Sequence, residues 1–257
     1  MIKIKLLSDL HLELGVNLTA QEYLKYNNED VLILAGDIDC GFDNIIQSLE
    51  RFHAAGYQKI VYVPGNHEYY GYIGGVADLN AKLRRYSENT PWLHYLNKDW
   101  IEINSTIFLG ATLWSNFRNN PISELAASRG IADFRRIRDW STAQCVSAYE
   151  ADVAYLKSAL HTLPELFPEH RFIVITHFLP AKACIDPYWV KHGGALNEYF
   201  ANNLDEYLLN YPRELTWCFG HTHSPVDTTL GSVRLLANPY GYHGYESQLS
   251  FKNQCYV

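Results

Sequence analysis

The sequence has no paired cysteines, no long apolar run and no cluster of basic residues. Each absence removes a class of protein. Its five cysteines, Cys40, Cys145, Cys184, Cys218 and Cys255, are odd in number, widely spread and without a CxxC pair. That distribution excludes a disulfide frame and suits free thiols in a reducing compartment. No uninterrupted apolar stretch is long enough to span a bilayer. The opening MIKIKLLSDLHLE reaches Asp9 too early, and lacks a cleavage-like site, to be read as a secretory signal. A soluble, cytoplasmic protein is expected. A net charge of −7 without a basic run argues against a membrane-coating surface and against a track for long nucleic acid. It leaves room for a small cationic pocket made by bound metal. Low-complexity segments, repeats and Pro/Gly/Ser-rich linkers are missing too. The 257 residues are therefore read as one domain, 1–257, large enough to bury a core unaided.

What is present is a succession of short apolar runs separated by helical patterns. Residues 2–8, VLILAG (31–36), KIVYVPG (59–65), RFIVITH (171–177) and LTWCFGH (215–221) read as strands buried on both faces. Residues 43–56, 75–88, 142–163 and 196–210 read as helices, with Gly56 stopping the first. Residues 100–103 and 106–112 suit a hairpin turning at Asn104-Ser105. VDTTL (226–230) and VRLLANP (233–239) suggest a closing antiparallel edge. The segment 114–140, rich in Arg and aromatics, reads as an irregular insertion. The expected fold class is α/β, a four-layer α-β-β-α sandwich of two mixed sheets flanked by helices.

Five of these strands end in chemistry. SDLHLE brings Asp9 and His11; AGDID brings Asp37; PGNHEYY brings Asn66, His67 and Glu68; THFLP brings His177; FGHTH brings His221 and His223. Loops at strand ends are free to vary over a rigid floor, so ligands gather there. In D-x-H or H-x-H on an extended segment the two side chains point the same way and can reach one ion. Carboxylate, carboxamide and imidazole together suit a borderline divalent metal such as Mn, Fe, Zn or Ni. The set is too large for one tetrahedral ion. Two ions sharing a bridging carboxylate, roughly 3.5–4 Å apart, would use it all.

The order D-x-H, G-D, G-N-H-[DE], lone His, G-H-x-H resembles the calcineurin-like metallophosphoesterase superfamily, over residues 2 to about 240. The resemblance implies two divalent metal ions. Asp9, His11 and His223 would hold the first, Asn66, His177 and His221 the second, and Asp37 would bridge them. His67 would face the substrate as the catalytic acid, and a metal-bridging hydroxide would attack phosphorus. The implied function is dinuclear, metal-dependent hydrolysis of a phosphodiester or phosphomonoester in a small or nucleotide-like substrate.

The chain also departs from the family pattern. Many members read G-D-x-x-D, whereas here Gly36-Asp37-Ile38-Asp39 brings the second acid one residue early. The Arg that follows this motif in the Ser/Thr protein phosphatases has no counterpart in Cys40-Gly41-Phe42. That leans the reading toward diesters or small nucleotides. Asp39 is read as a solvated turn residue, and Glu68 as a helix cap or a partner of a ligand histidine. Arg118, Arg135, Arg136 and Arg138 would line a lid over an anionic substrate, or else pair with Glu124, Asp133 and Asp139. Tyr69, Tyr70, Tyr240 and Tyr242 follow site motifs and could stack on a base or ring. The other histidines are read as surface or packing residues, with His192 and His243 nearest the site loops. Two rival functions share the motifs: a non-catalytic, metal-binding scaffold of the same fold, and a dinuclear hydrolase of another bond such as an amide. The scaffold typically loses a ligand or the motif-three His, and this chain keeps them all.

Overall fold

The apolar runs become strands because each is bounded by turn residues and most side chains within them find cover on either face. The computed structural model describes residues 2–15, 25–243, 252 and 255–257. β1 (Ile4–Leu7), β2 (Val31–Ala35), β3 (Ile60–Val63) and β4 (Leu93–Tyr95) form one sheet in that order, every pair parallel. β5 (Asp99–Ile103), β6 (Thr106–Gly110), β7 (Arg171–Ile175), β8 (Leu215–Phe219), β9 (Val226–Leu230) and β10 (Val233–Ala237) form the other, in the order β5-β6-β7-β8-β10-β9. Its two edge pairs are antiparallel and its interior is parallel. Only this second sheet is mixed. The βα crossovers of the first half can place strands side by side in one direction only.

Alternation along the strands divides the core. Ile4, Leu6, Val31, Ile33, Val61 and Val63 face Phe108, Ile173, Ile175 and Cys218 in a cluster between the sheets. Leu32, Leu34, Ile60 and Tyr62 point the other way, into a cluster that includes Ile45, Leu49 and Phe52 of α1 (Phe42–Ala54) and Leu79 and Leu83 of α2 (Gly75–Glu88). On the far side α5 (Thr142–Leu166) contributes Leu156, Leu160 and Leu163 to the same cluster as Phe172, Val174 and Trp217. The result is the four-layer sandwich. Ser141 and Gln144 close a capping box at the start of α5. No helix among the described residues is long and apolar enough to cross a membrane.

Three segments differ from the sequence reading. β4 is a strand that it does not contain. Residues 114–140 are not irregular: they fold α3 (Pro121–Gly130) and α4 (Asp133–Arg136), with Asn120 capping the first. The helix expected over 196–210 is broken into α7 (Asn197–Phe200) and α8 (Asp205–Leu209), following a short α6 (Pro187–His192). The break is tertiary. Ala201 bridges Leu179 in parallel, and the buried Asn202 amide donates to the carbonyls of Leu113 and Trp114. Those contacts outweigh the helical periodicity of the local sequence.

Candidate metal centre

β1, β2, β3, β7 and β8 run parallel within their sheets, and the five motifs follow their carboxyl ends. Main-chain hydrogen bonds lace the resulting loops together. Asp9 N–H donates to Gly36 O at 3.0 Å, His11 N–H to Asp37 O at 3.1 Å, and Gly220 N–H to His177 O at 3.0 Å. A parallel bridge between Ser8 and Pro239 joins the edge of one sheet to the other.

The backbone at this junction is unusual. Asp9, His11, Asp37, His221 and His223 all have positive φ, between 47° and 64°. That region is sparsely populated by residues with a Cβ, and its concentration in five candidate ligands marks a functional site. It also corrects the expectation that D-x-H and H-x-H lie on extended segments. Left-handed turns, not strand alternation, bring each pair to a common focus. The glycines of the motifs serve close approach. A Cβ on Gly36 would collide with the His177 ring, and one on Gly65 with the Asp37 carboxylate.

The side chains form two adjoining groups. Ligand atoms of Asp9, His11 and His223 lie within 4.8 Å of one another, as do those of Asp37, His177 and His221. His11 Nε2 is 3.0 Å from His223 Nε2, and His223 Nε2 is 3.5 Å from Asp9 Oδ1. In the second group His177 Nε2 is 3.3 Å from Asp37 Oδ2 and 3.1 Å from Asn66 Oδ1. Asp37 Oδ2 also stands 3.9 Å from His11 Nε2, so this carboxylate belongs to both groups.

Three observations show that the donor set fits cations. His221 Nε2 is buried with no hydrogen-bond partner among the described residues. His177 Nδ1 lies 2.9 Å from the Ala35 carbonyl, which can only accept, so Nδ1 carries a proton and Nε2 is the nitrogen turned inward. His11 Nδ1 faces Glu13 Oε1 at 3.2 Å, which fixes its Nε2 inward by the same logic. Burial disfavours the Asp37 anion, but the imidazoles of His177, His67 and His11 outweigh it and hold its carboxyl well below the usual range. Burial likewise works against protonating His177, yet Asp37 raises it to about 10. Burial, followed by His177, pushes His221 well below the ordinary imidazole value.

His67 stands beside both groups. Its backbone N–H donates to Asp37 Oδ1 at 2.9 Å, and its Nε2 is 4.0 Å from Asp37 Oδ2. Nδ1 is 2.8 Å from Glu13 Oε1 and Nε2 is 3.2 Å from the Tyr242 hydroxyl. Burial disfavours the charged ring, and Asp37 and Glu13 together overcome it and raise its pKa. Glu13 is a residue that sequence reasoning missed. Its only signal was its position two residues beyond His11, in the motif already quoted. Burial alone would raise its carboxyl, but hydrogen bonds from His11 and His67 pull it down to about 2. Asp133 was read only as a partner for nearby arginines. It accepts from the Asn66 amide at 2.9 Å, from the Tyr70 hydroxyl at 2.5 Å and from the Tyr199 hydroxyl. With Asn66 Nδ2 held there, Asn66 Oδ1 is left facing His177.

Other candidates lie elsewhere. Glu68 neither caps a helix nor meets a histidine: it accepts from the backbone N–H groups of Asp37, Ile38 and Gly65 and from the Tyr62 hydroxyl, binding two motif loops together. Asp39 is not solvated; it is buried, accepting from Cys40 N–H and Ser48 Oγ. Tyr69 is fully buried, with its hydroxyl donating to Asn80. Arg118 donates to the Asn202 carbonyl and lies 3.7 Å from Asp205. Arg135 donates to the Arg129 carbonyl, and Arg138 pairs with Asp139 in solvent. The rings that do reach the centre are Tyr70, 4.2 Å from His67, and Tyr242, 4.5 Å from both His11 and His223. Phe200, from the broken helix, lies 4.9 Å from His221.

The family profile of calcineurin-like phosphoesterases matches residues 2–225, and the chain belongs to that family. It is a metal-dependent phosphoric ester hydrolase. An uncharacterized protein, L509, of Acanthamoeba polyphaga mimivirus is 28% identical over 93% of this chain and 91% of its own. Two solved structures share the fold. The phosphopantetheinyl hydrolase PptH of Mycobacterium tuberculosis has a TM-score of 0.71 at 18% identity, covering 93% of this chain and 89% of that one. A dimetal phosphatase of Danio rerio has a TM-score of 0.53 at 13% identity, covering 98% and 89%.

Proposed function

We propose that the chain hydrolyses a diester or monoester of a small phosphorylated or nucleotide-like substrate at a dinuclear metal centre. The observation that carries the reading is Asp37, a buried carboxylate common to two groups of ligands, with His67 beside it; His67 is also within reach of His11 and Asp37, and the motif order assigns it to the substrate and not to a metal. Asp9, His11 and His223 would hold one ion and Asn66, His177 and His221 the other, with Asp37 between them. Mn, Fe, Zn or Ni ions in those places would polarise the phosphoryl group and acidify a water for attack. The chain's own acid is His67. Glu13 accepts from Nδ1 and stabilises the imidazolium, so Nε2–H is the proton available to the leaving oxygen. Tyr242 and Tyr70 flank that ring and narrow the approach to it. A net charge of −7 without a basic run favours a small substrate over a polymer. The name of the mycobacterial neighbour, a phosphopantetheinyl hydrolase, supports the same size class.

The test is metal content per chain, together with hydrolysis of bis-p-nitrophenyl phosphate and p-nitrophenyl phosphate in added Mn²⁺. About two ions per chain and turnover of at least one ester is the expected result. A chain that binds no metal under any loading condition overturns the reading. Metal without turnover of either ester, or of nucleotide esters, would favour a binding scaffold.

A further inference from the structure

α4 is one turn long, and its two ends act on the same tyrosine. Asp133 at its start takes the Tyr70 hydroxyl from within the fold. Arg136 at its end lies over the Tyr70 ring, with its guanidinium carbon 4.4 Å from the centroid. The placement is fixed by main chain. Gly71 N–H donates to the Arg136 carbonyl at 3.0 Å, and Tyr70 and Ile137 form an antiparallel bridge. Tyr70 in turn touches His67. Of the arginines in 114–140 that the sequence offered for anion binding, three are already engaged by carbonyl or carboxylate groups. Arg136 is exposed and has no carboxylate partner among the described residues. A guanidinium stacked on a ring keeps its planar fork free for a bidentate oxyanion.

We propose that Arg136, held against Tyr70 beside His67, recognises an anionic group on the leaving half of the substrate, a second phosphate or a carboxylate. The proposal rests on the reading of His67 as the residue facing the leaving oxygen. The side of the centre where His67 stands is the side on which the departing fragment must lie, and Arg136, stacked on Tyr70 there, has no carboxylate partner among the described residues. The substrate class narrows accordingly, from any small phosphoester to one whose alcohol half is itself charged.

Binding to the metal-loaded full chain tests this without needing turnover. Phenylphosphonate and 4-carboxyphenylphosphonate carry the same phosphoryl mimic, cannot be hydrolysed at the C–P bond, and differ by one anion on the leaving side. Calorimetric titration is expected to show the carboxylated compound binding about tenfold tighter to the native chain, a gap of about 1.4 kcal/mol. In Arg136→Gln the gap should fall below about twofold, and Arg136→Lys should restore part of it. Metal content, measured on each variant, separates a lost subsite from a damaged centre. No preference in the native chain, or one that survives in Arg136→Gln, overturns the proposal. Failure of the phosphoesterase reading would appear instead as absent metal, or as no hydrolysis of either bis-p-nitrophenyl phosphate or p-nitrophenyl phosphate by the native chain.

Discussion

Glu13 and His67 are joined by a 2.8 Å hydrogen bond from Nδ1 of the ring to Oε1 of the carboxylate, and the same oxygen stands 3.2 Å from Nδ1 of His11. One acid therefore orients both a candidate ligand and the candidate proton donor. Cations bound at Asp37 would offset the charge of that carboxylate, leaving Glu13 as the anion that sustains the His67 imidazolium. Glu13→Gln should then slow aryl phosphates with poor leaving groups by about 10–100-fold more than p-nitrophenyl phosphate, since only the former need the proton. A uniform loss across leaving groups, accompanied by metal loss, would assign Glu13 to His11 alone.

His67→Ala removes the proton donor and no metal ligand. Turnover should drop by about 10²–10⁴-fold while metal content stays at the native value. The check is metal analysis on the same preparation used for kinetics. A variant that lost metal would place His67 among the ligands.

Asp37 borders both ligand groups, so Asp37→Asn should weaken the two ions together. Titration with Mn²⁺ should show both binding steps moving to higher concentration. Loss of one step with the other intact would show that the carboxylate serves one ion only.

Asp133 fixes the Asn66 amide from outside the centre. Asp133→Ala leaves two buried hydroxyls, on Tyr70 and Tyr199, without their acceptor, at about 1–3 kcal/mol each, and leaves the Asn66 amide only its longer bond to Tyr70. Thermal unfolding should show the lower stability. Metal titration should show weaker binding at the group containing Asn66 and His177, with the group containing Asp9 retained. Equal weakening at both groups would make the effect a general loosening of the fold.

Much of this centre could be read from spacing, because each motif follows a buried strand and parallel strands in a layered sheet deliver their ends to one edge. Apart from β4, the strands, α2 and the hairpin at Asn104-Ser105 were legible for the same reason: local periodicity and turn chemistry agreed with the tertiary fold. What could not be read depended on partners distant in sequence. The break after Phe200 is made by carbonyls at 113 and 114. Asp133 meets Asn66 across 67 residues. Glu13 carries no local mark of its contact with His67, which lies 54 residues further on. Tyr69 and Tyr70 are neighbours in a loop, but one is sealed in the core and the other lines the centre. Sequence alone offers no way to choose between them.

The left-handed backbone at Asp9, His11, Asp37, His221 and His223 has a consequence for how the chain is held together. Each group draws its members from loops far apart in order, His11 meeting His223 across 212 positions and Asn66 meeting His177 across 111. No partial chain ending before β8 can complete either group. Ion binding is thus available only to the fully closed topology, and each bound ion weights that topology against every looser one by mass action. Metal supply would then set the stability of the fold as well as the rate of the reaction.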